Sequence, residues 1–234
     1  MTWVVVICEG TPFKIPMLMA KRRKVMMITG AAGGVGKACV HRFRNRYDLI
    51  TVDRQGDVKE KGDLRSRKFL KHLVASYEID VLLNVAGLRN SDILDNYDVN
   101  FLAPTYLTLM FYDKMTEGHI INFSSTSANN SGWLAMPSDR IYYNTAKAAL
   151  KKTTNVLQNS KNKRVKVTSF EPAQINTRLG GELVKIPEAE YRRQTLPLAK
   201  IKPDYIAEVI DWILRQPDPV VVATLELQNL IVRS

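Results

Sequence analysis

Long hydrophobic runs are missing from this 234-residue chain, as are a cysteine framework and a histidine cluster. The apolar stretches near its start, Trp3 to Cys8 and Met17 to Ala20, fall well short of the roughly 18 residues a membrane helix needs. Charge follows the first of them instead of preceding it, the reverse of a secretory leader, so no membrane partner is expected. Two cysteines, Cys8 and Cys39, give neither a disulfide framework nor metal-ligand spacing, which fits a reducing, cytoplasmic setting. His41, His72 and His119 are scattered, and no metal is expected. Acidic residues are absent from Ile141 to Phe170, where seven lysines and arginines stand; with Lys21 to Lys24 they help set the net charge of +11. No aromatic residues interleave with these charges and no recognition motif accompanies them, so they read as solvated faces and not as a nucleic-acid site. There is no internal repeat. With 45% apolar and 24% charged residues the composition is that of one globular domain with a full core.

What the chain does contain begins at Val25. Val25 to Thr29 is strand-like, Gly30-Ala31-Ala32-Gly33-Gly34-Val35-Gly36 is a glycine-rich turn, and Lys37 to Arg46 reads as a helix. Glycines let such a turn approach a pyrophosphate closely and leave the N–H groups of the helix N-terminus facing the anion. Residues 1–24 are then an extension, flexible or an artefact of start-codon choice with Met17, Met19 or Met26 as alternatives, and 25–234 form the domain.

A second strand, Asp48 to Val52, ends at Asp53, 23 residues past Gly30. A carboxylate there is placed to accept hydrogen bonds from ribose hydroxyls and to repel a 2′-phosphate, which favours NAD over NADP; the neighbouring Arg54 favours the reverse. The ten residues that follow hold too little apolar pattern for a helix and lead to Gly62-Asp63-Leu64, where Asp63 is also a candidate cap for a helix from Leu64 to about Tyr77. A fourth strand, Ile79 to Leu83, closes on Asn84-Val85-Ala86-Gly87, and Ser91 to about Met115 reads as one long helix containing Asn100. A fifth, His119 to Phe123, stops at Ser124-Ser125, with Tyr143 eighteen residues beyond Ser125. Tyr143 and Lys147, four apart, share one helix face; an ammonium near a phenol favours the phenolate. A sixth strand, Arg164 to Phe170, runs into Glu171-Pro172-Ala173-Gln174-Ile175-Asn176-Thr177. A last helix from Pro203 to about Arg215 and a strand from Val220 to Leu227 follow.

In this order the segments resemble the short-chain dehydrogenase/reductase family, single-domain branch, from Val25 to the C-terminus: Gly-x-x-x-Gly-x-Gly at 30–36, Asn-Val-Ala-Gly for Asn-Asn-Ala-Gly at 84–87, the serine, and Tyr-x-x-x-Lys at 143–147. The resemblance implies an α/β Rossmann fold with a doubly wound parallel sheet and hydride transfer between an alcohol and a ketone or aldehyde. It implies Tyr143 as general acid/base, Lys147 holding the nicotinamide ribose and lowering the tyrosine pKa, Ser125 on the substrate oxygen and Asn100 completing a proton relay. Cofactor contacts carry over to Gly30, Ala32, Gly33, Gly34, Val35, Gly36, Asp53, Arg54, Asp63, Leu64, Asn84, Ala86, Gly87, Tyr143, Lys147, Pro172, Ile175 and Thr177. In this pattern Asp63 and Leu64 lie against the adenine, and Ile175 and Thr177 meet the nicotinamide carboxamide. Tyr142 and Ser124 compete with their neighbours less well. The expected partners are a small alcohol or carbonyl substrate and further copies of the chain, as a homodimer or homotetramer. The stretch from Ser127 to Ile141, with Trp133, Leu134 and Met136, makes the serine-to-tyrosine interval about five residues longer than is usual; this loop and a lid from Arg178 to Thr195 would choose the substrate. Two other readings stay open: an epimerase or dehydratase of nucleotide sugars, opposed by the short C-terminal region, and a dinucleotide sensor, which would usually lack the tyrosine or lysine.

Overall fold

The computed structural model describes residues 3–8, 11–16, 22–90, 92–129, 138–160, 164–177 and 200–229. Two strands, β1 (Trp3–Cys8) and β2 (Thr11–Pro16), pair antiparallel as a separate two-stranded sheet. The body of the protein alternates strand and helix: β3 (Lys24–Thr29), α1 (Gly34–Phe43), β4 (Tyr47–Asp53), the short β5 (Glu60–Lys61), α2 (Arg67–Ser76) and β6 (Val81–Asn84). Then come α3 (Ile93–Tyr97), a π-helical turn over Asp98–Leu102, α4 (Ala103–Lys114), β7 (Glu117–Phe123), α5 (Ser138–Gln158), β8 (Arg164–Pro172), α6 (Pro203–Leu214) and β9 (Thr224–Leu227).

The seven strands β3 to β9 form one parallel sheet in the order β5-β4-β3-β6-β7-β8-β9. Chain order reverses between β3 and β6, so a crevice opens at the carboxyl ends of those two strands, where such sheets bind ligands. Helices cover both faces, which is why β3 reads as an unbroken apolar run: Met26, Met27 and Ile28 are all fully buried. Alternation divides them. Met26 and Ile28 pack with Phe43 of α1 and with Ile206 and Ile210 of α6, while Met27 packs with Leu73 of α2 and with Leu107 and Phe111 of α4. Asp211 of α6 binds the first helix to the last, accepting from Arg42 at 2.8 Å and Arg46 at 2.5 Å. Among the described residues no helix is long and apolar enough to cross a membrane, and no group of three or more His, Cys, Asp or Glu could hold a metal ion.

Several element ends differ from the sequence reading. α1 begins at Gly34, not Lys37, because glycines can enter the first turn of a helix, whose N–H groups need no intrahelical partner. α2 begins at Arg67: the Ser66 side chain accepts from the Phe69 N–H and caps it, whereas Asp63 accepts from the Arg65 N–H in a turn before the helix. The long helix over 91–115 is interrupted by the π turn around Asn100. The last strand starts at Thr224, since the Val220 N–H is taken by Pro217 in a turn.

His119 is buried in β7 with Nε2 2.7 Å from Thr168 Oγ1. Burial, helped by the charge of Lys166, pushes its pKa down to about 4. Unfolded, it takes up a proton near 6.5. Above that pH neither state is charged and the histidine contributes no pH dependence. As pH falls from 6.5 towards 4, the unfolded chain gains a proton the folded one refuses, and stability drops by about 1.4 kcal/mol per pH unit. Urea midpoints of wild type and His119→Gln at pH 7, 5.5 and 4.5 should therefore converge with acidity; parallel lines would contradict this role.

Candidate active site

The glycine turn is held by short contacts that leave no room for side chains. Gly30 has φ +72°, and a Cβ on Gly36 would lie 2.0 Å from the Gly30 carbonyl oxygen. Gly33 precedes α1 in extended conformation with no side chain capping the helix, so the first-turn N–H groups of α1 open onto the crevice. Gly30, Gly33, Gly34, Val35 and Gly36 line one wall of a cleft of about 260 Å³. Asp53, Arg54, Asp63, Leu64, Ala86, Gly87 and Thr177 are also part of its lining. Thr177 comes so near the loop that a Cβ on Gly34 would stand 2.8 Å from its Cγ2.

Ala32 serves the cleft indirectly. Its N–H donates to Asp53 Oδ2 at 3.0 Å, and the Gln55 N–H donates to Oδ1 at 3.1 Å, which fixes the carboxylate at the strand end. Asn84 is not among the residues lining the cleft: strand alternation turns its side chain with that of Leu82 toward α4, where its Nδ2 donates to Asn122 Oδ1 at 2.8 Å and Thr108 Oγ1 at 3.2 Å. Pro172 ends β8 and Ile175 bridges to Ile201 while packing on the core; neither is among the residues lining the cleft.

At the end of the neighbouring strand, Ser125, Tyr143 and Lys147 come together. Ser125 is buried, its Oγ accepts from the Ser127 N–H at 3.1 Å, and its side chain is hydrogen-bonded to that of Tyr143. Ser124 faces elsewhere, donating from Oγ to the Lys147 carbonyl at 2.9 Å and so seating α5. Lys147 lies one turn beyond Tyr143, its Nζ 5.8 Å from the tyrosine ring centroid and 2.6 Å from the Phe123 carbonyl. Burial lowers the Lys147 pKa to about 7. Burial raises that of Tyr143, against a downward pull from the Ser125 hydrogen bond and the Arg89 charge. The expected downward pull of Lys147 on Tyr143 is absent: titrating near 7, the amine is already neutral at the higher pH where the phenol loses its proton.

Asn100 is fully buried in the π turn. Its Oδ1 accepts from the Leu88 N–H at 3.0 Å and its Nδ2 donates to the Leu88 carbonyl at 2.6 Å, so it clamps the chain that leaves Gly87. Its described contacts reach Leu88 and Asn96, not Lys147 or Tyr143. The cleft also takes in Gly62, Arg65, Val85, Leu88 and Val99, and Arg89 acts on Tyr143. Gly62 and Val85 lie within segments the sequence singles out; Arg65, Leu88, Arg89 and Val99 were passed over, although Arg65 directly follows Asp63-Leu64 and Arg89 stands two residues beyond Gly87. The loop around Trp133, Leu134 and Met136 and the lid from Arg178 to Thr195 lie outside the described residues.

Residues 24–186 match the family model described as short chain dehydrogenase. An uncharacterized oxidoreductase of Staphylococcus saprophyticus is 26% identical over 232 residues, covering 83% of this chain and 91% of the relative. Human dehydrogenase/reductase SDR family member 11 is 23% identical, with 88% and 94% covered. The closed form of serine dehydrogenase complexed with NADP+ superposes with a TM-score of 0.74 at 24% identity, over 90% of this chain and 96% of that one. The 3-alpha-hydroxysteroid dehydrogenase from Pseudomonas sp. B-0831 complexed with NADH also gives 0.74, at 20% identity over 87% and 94%. The two structures share this fold.

Proposed function

The chain belongs to the short-chain dehydrogenase family, and on that premise we propose that it interconverts an alcohol and a ketone or aldehyde with a nicotinamide dinucleotide as partner. The observation that carries this reading is the meeting of Ser125, Tyr143 and Lys147 past the end of β7, with Lys147 Nζ 5.8 Å from the Tyr143 ring centroid. The residues present fit a dinucleotide: Gly30 and Gly36 leave a cradle that a Cβ would fill, the α1 N-terminus suits a pyrophosphate, and Asp53 is pinned where a ribose diol would meet it.

When bound, the dinucleotide supplies the hydride chemistry that no side chain offers. Tyr143 Oη gives its proton to the substrate oxygen in reduction and takes one in oxidation. Ser125 Oγ donates to the same oxygen and holds it in reach of the phenol. Lys147, titrating near 7, changes charge around neutral pH and is suited to restoring the Tyr143 proton. Asn100 fixes Leu88, which with Gly87 lines the cleft, and so keeps that part of the lining in place.

NAD is the preferred cofactor, with NADP second. Each Asp53 oxygen accepts one backbone N–H and retains capacity for ribose hydroxyls, and its charge opposes a 2′-phosphate. Arg54 in the same cleft pulls the other way. Fluorescence titration of wild type and Asp53→Ala with NADH and NADPH tests both halves. Wild type should bind NADH the more tightly, and the variant should lose about tenfold of that preference. Tighter NADPH binding would instead give Arg54 control of the pocket, and binding of neither would end the dehydrogenase reading.

A further inference from the structure

Among the side chains of the cleft, Arg65 is held in an unusual way. Its Nε lies 3.1 and 3.0 Å from the two oxygens of Asp63, and its Nη2 2.6 Å from Asp63 Oδ2. On the other side its Nη1 lies 2.5 Å from Asp95 Oδ1. Asp95 belongs to α3 and is steadied in turn by Asn90 Nδ2 at 3.1 Å. A guanidinium is a rigid planar fork, so carboxylates on two of its edges fix the plane in which it lies. The side chain is nevertheless 38% exposed, and the residue lines the cleft together with Asp53, Asp63 and Leu64.

This clamp changes what Asp63 can do. Both of its oxygens accept from the Arg65 side chain, and Oδ1 also accepts from the Arg65 N–H. Little accepting capacity is left for a base amino group. The trio of two carboxylates and one guanidinium carries a net negative charge, which argues against a phosphate at this end. The clamped plate and the apolar Leu64 suit a flat, uncharged, aromatic ligand.

We propose that Arg65 recognises the adenine ring by stacking its clamped guanidinium on it, so that the purine is read by its π face and not through its 6-substituent. The proposal rests on the dinucleotide reading of the cleft. Stacking is tolerant of base identity because every base has a π face. Asp95 and Asn90 are then positioning residues that keep the plate aligned.

The test is a binding titration of the full chain with NADH, with its analogue carrying hypoxanthine in place of adenine, and with reduced nicotinamide mononucleotide, which has no adenosine. Wild type should bind the two dinucleotides within about threefold of each other. Arg65→Met should weaken both by roughly tenfold and leave the mononucleotide unchanged. Arg65→Lys should not restore binding, since a point ammonium cannot bridge Asp63 and Asp95 as a plate. Asp95→Asn, which keeps the Asp63 pair, should fall between wild type and Arg65→Met.

Four results would overturn the proposal. The first is Arg65→Met binding NADH like wild type. The second is the hypoxanthine analogue binding wild type tenfold more weakly than NADH, which would mean that the ring is read by its edge. The third is a loss of affinity for all three ligands together in Arg65→Met, which would make Arg65 merely structural. Failure of wild type to bind any dinucleotide would remove the dinucleotide reading itself, and the proposal with it.

Discussion

The Tyr143→Phe protein is expected to bind NADH as wild type does and to turn over substrate about 10²- to 10⁴-fold more slowly. The substitution removes one oxygen from a residue whose ring is seated by α5 and whose hydroxyl meets Ser125, so the fold and the cleft lose little. The pH dependence of wild type carries the same argument. Burial raises the Tyr143 pKa, so at neutral pH the phenol holds its proton, the form that carbonyl reduction consumes. Oxidation needs the proton gone. Reduction should therefore dominate at and below neutrality, and oxidation should gain as pH rises. A break near pH 7 should appear in kcat as Lys147 loses its charge. Initial rates in both directions between pH 6 and 10, with NADH binding measured in parallel, check this. A phenylalanine variant that kept a tenth of the turnover would take the acid/base role away from Tyr143.

Gly36→Ala should be the most damaging single change in the loop. Its Cβ would fall 2.0 Å from the Gly30 carbonyl oxygen, and that neighbour is backbone, which cannot swing aside. Either Gly30 or the start of α1 must move. Overpacking of this kind costs about 1–3 kcal/mol, which lowers the thermal midpoint by roughly 3 to 10 °C in a chain this long. NADH binding should be lost with it, because the displaced atoms are the wall of the cleft. Gly33→Ala is the matched control: its nearest contact, the same oxygen, would be 3.3 Å away and its φ is negative, so it should stay folded with a far smaller drop. Equal midpoints for the two variants would refute the steric account.

Much of this was legible in the sequence where chemistry and period coincide. Thr29, Asp53, Asn84 and Ser124-Ser125 mark the ends or exits of four parallel strands, and those ends build the site. The Tyr143–Lys147 spacing survives because a helix fixes it locally. Position alone did not settle direction. Asn84 stands at the end of its strand, one residue past the Leu83 limit read from the sequence, yet alternation turns its side chain toward α4. Asn100 lies on its helix as read, but the partner it meets, Leu88, belongs to a loop twelve residues earlier. Arg65 was missed because its meaning comes from Asp95, thirty residues away, and no local pattern encodes that approach. The start of α1 was placed late because glycine is a poor helix former in mid-helix, a penalty that weighs little in a first turn.

The π turn over Asp98–Leu102 sets the rotational phase of everything before it. Its wider winding adds a residue to the helical count, and one residue is about 100° of rotation in the α-helix that follows. Removing one residue from 98–102 would join α3 and α4 into one regular helix and leave α4 on the core with Leu107 and Phe111. It would also swing α3 by more than a quarter of a circle, carrying Asp95 away from Arg65 and Asn96 away from Asn90. A length change here is an indexing error that moves Asp95 and Asn96 off their partners together.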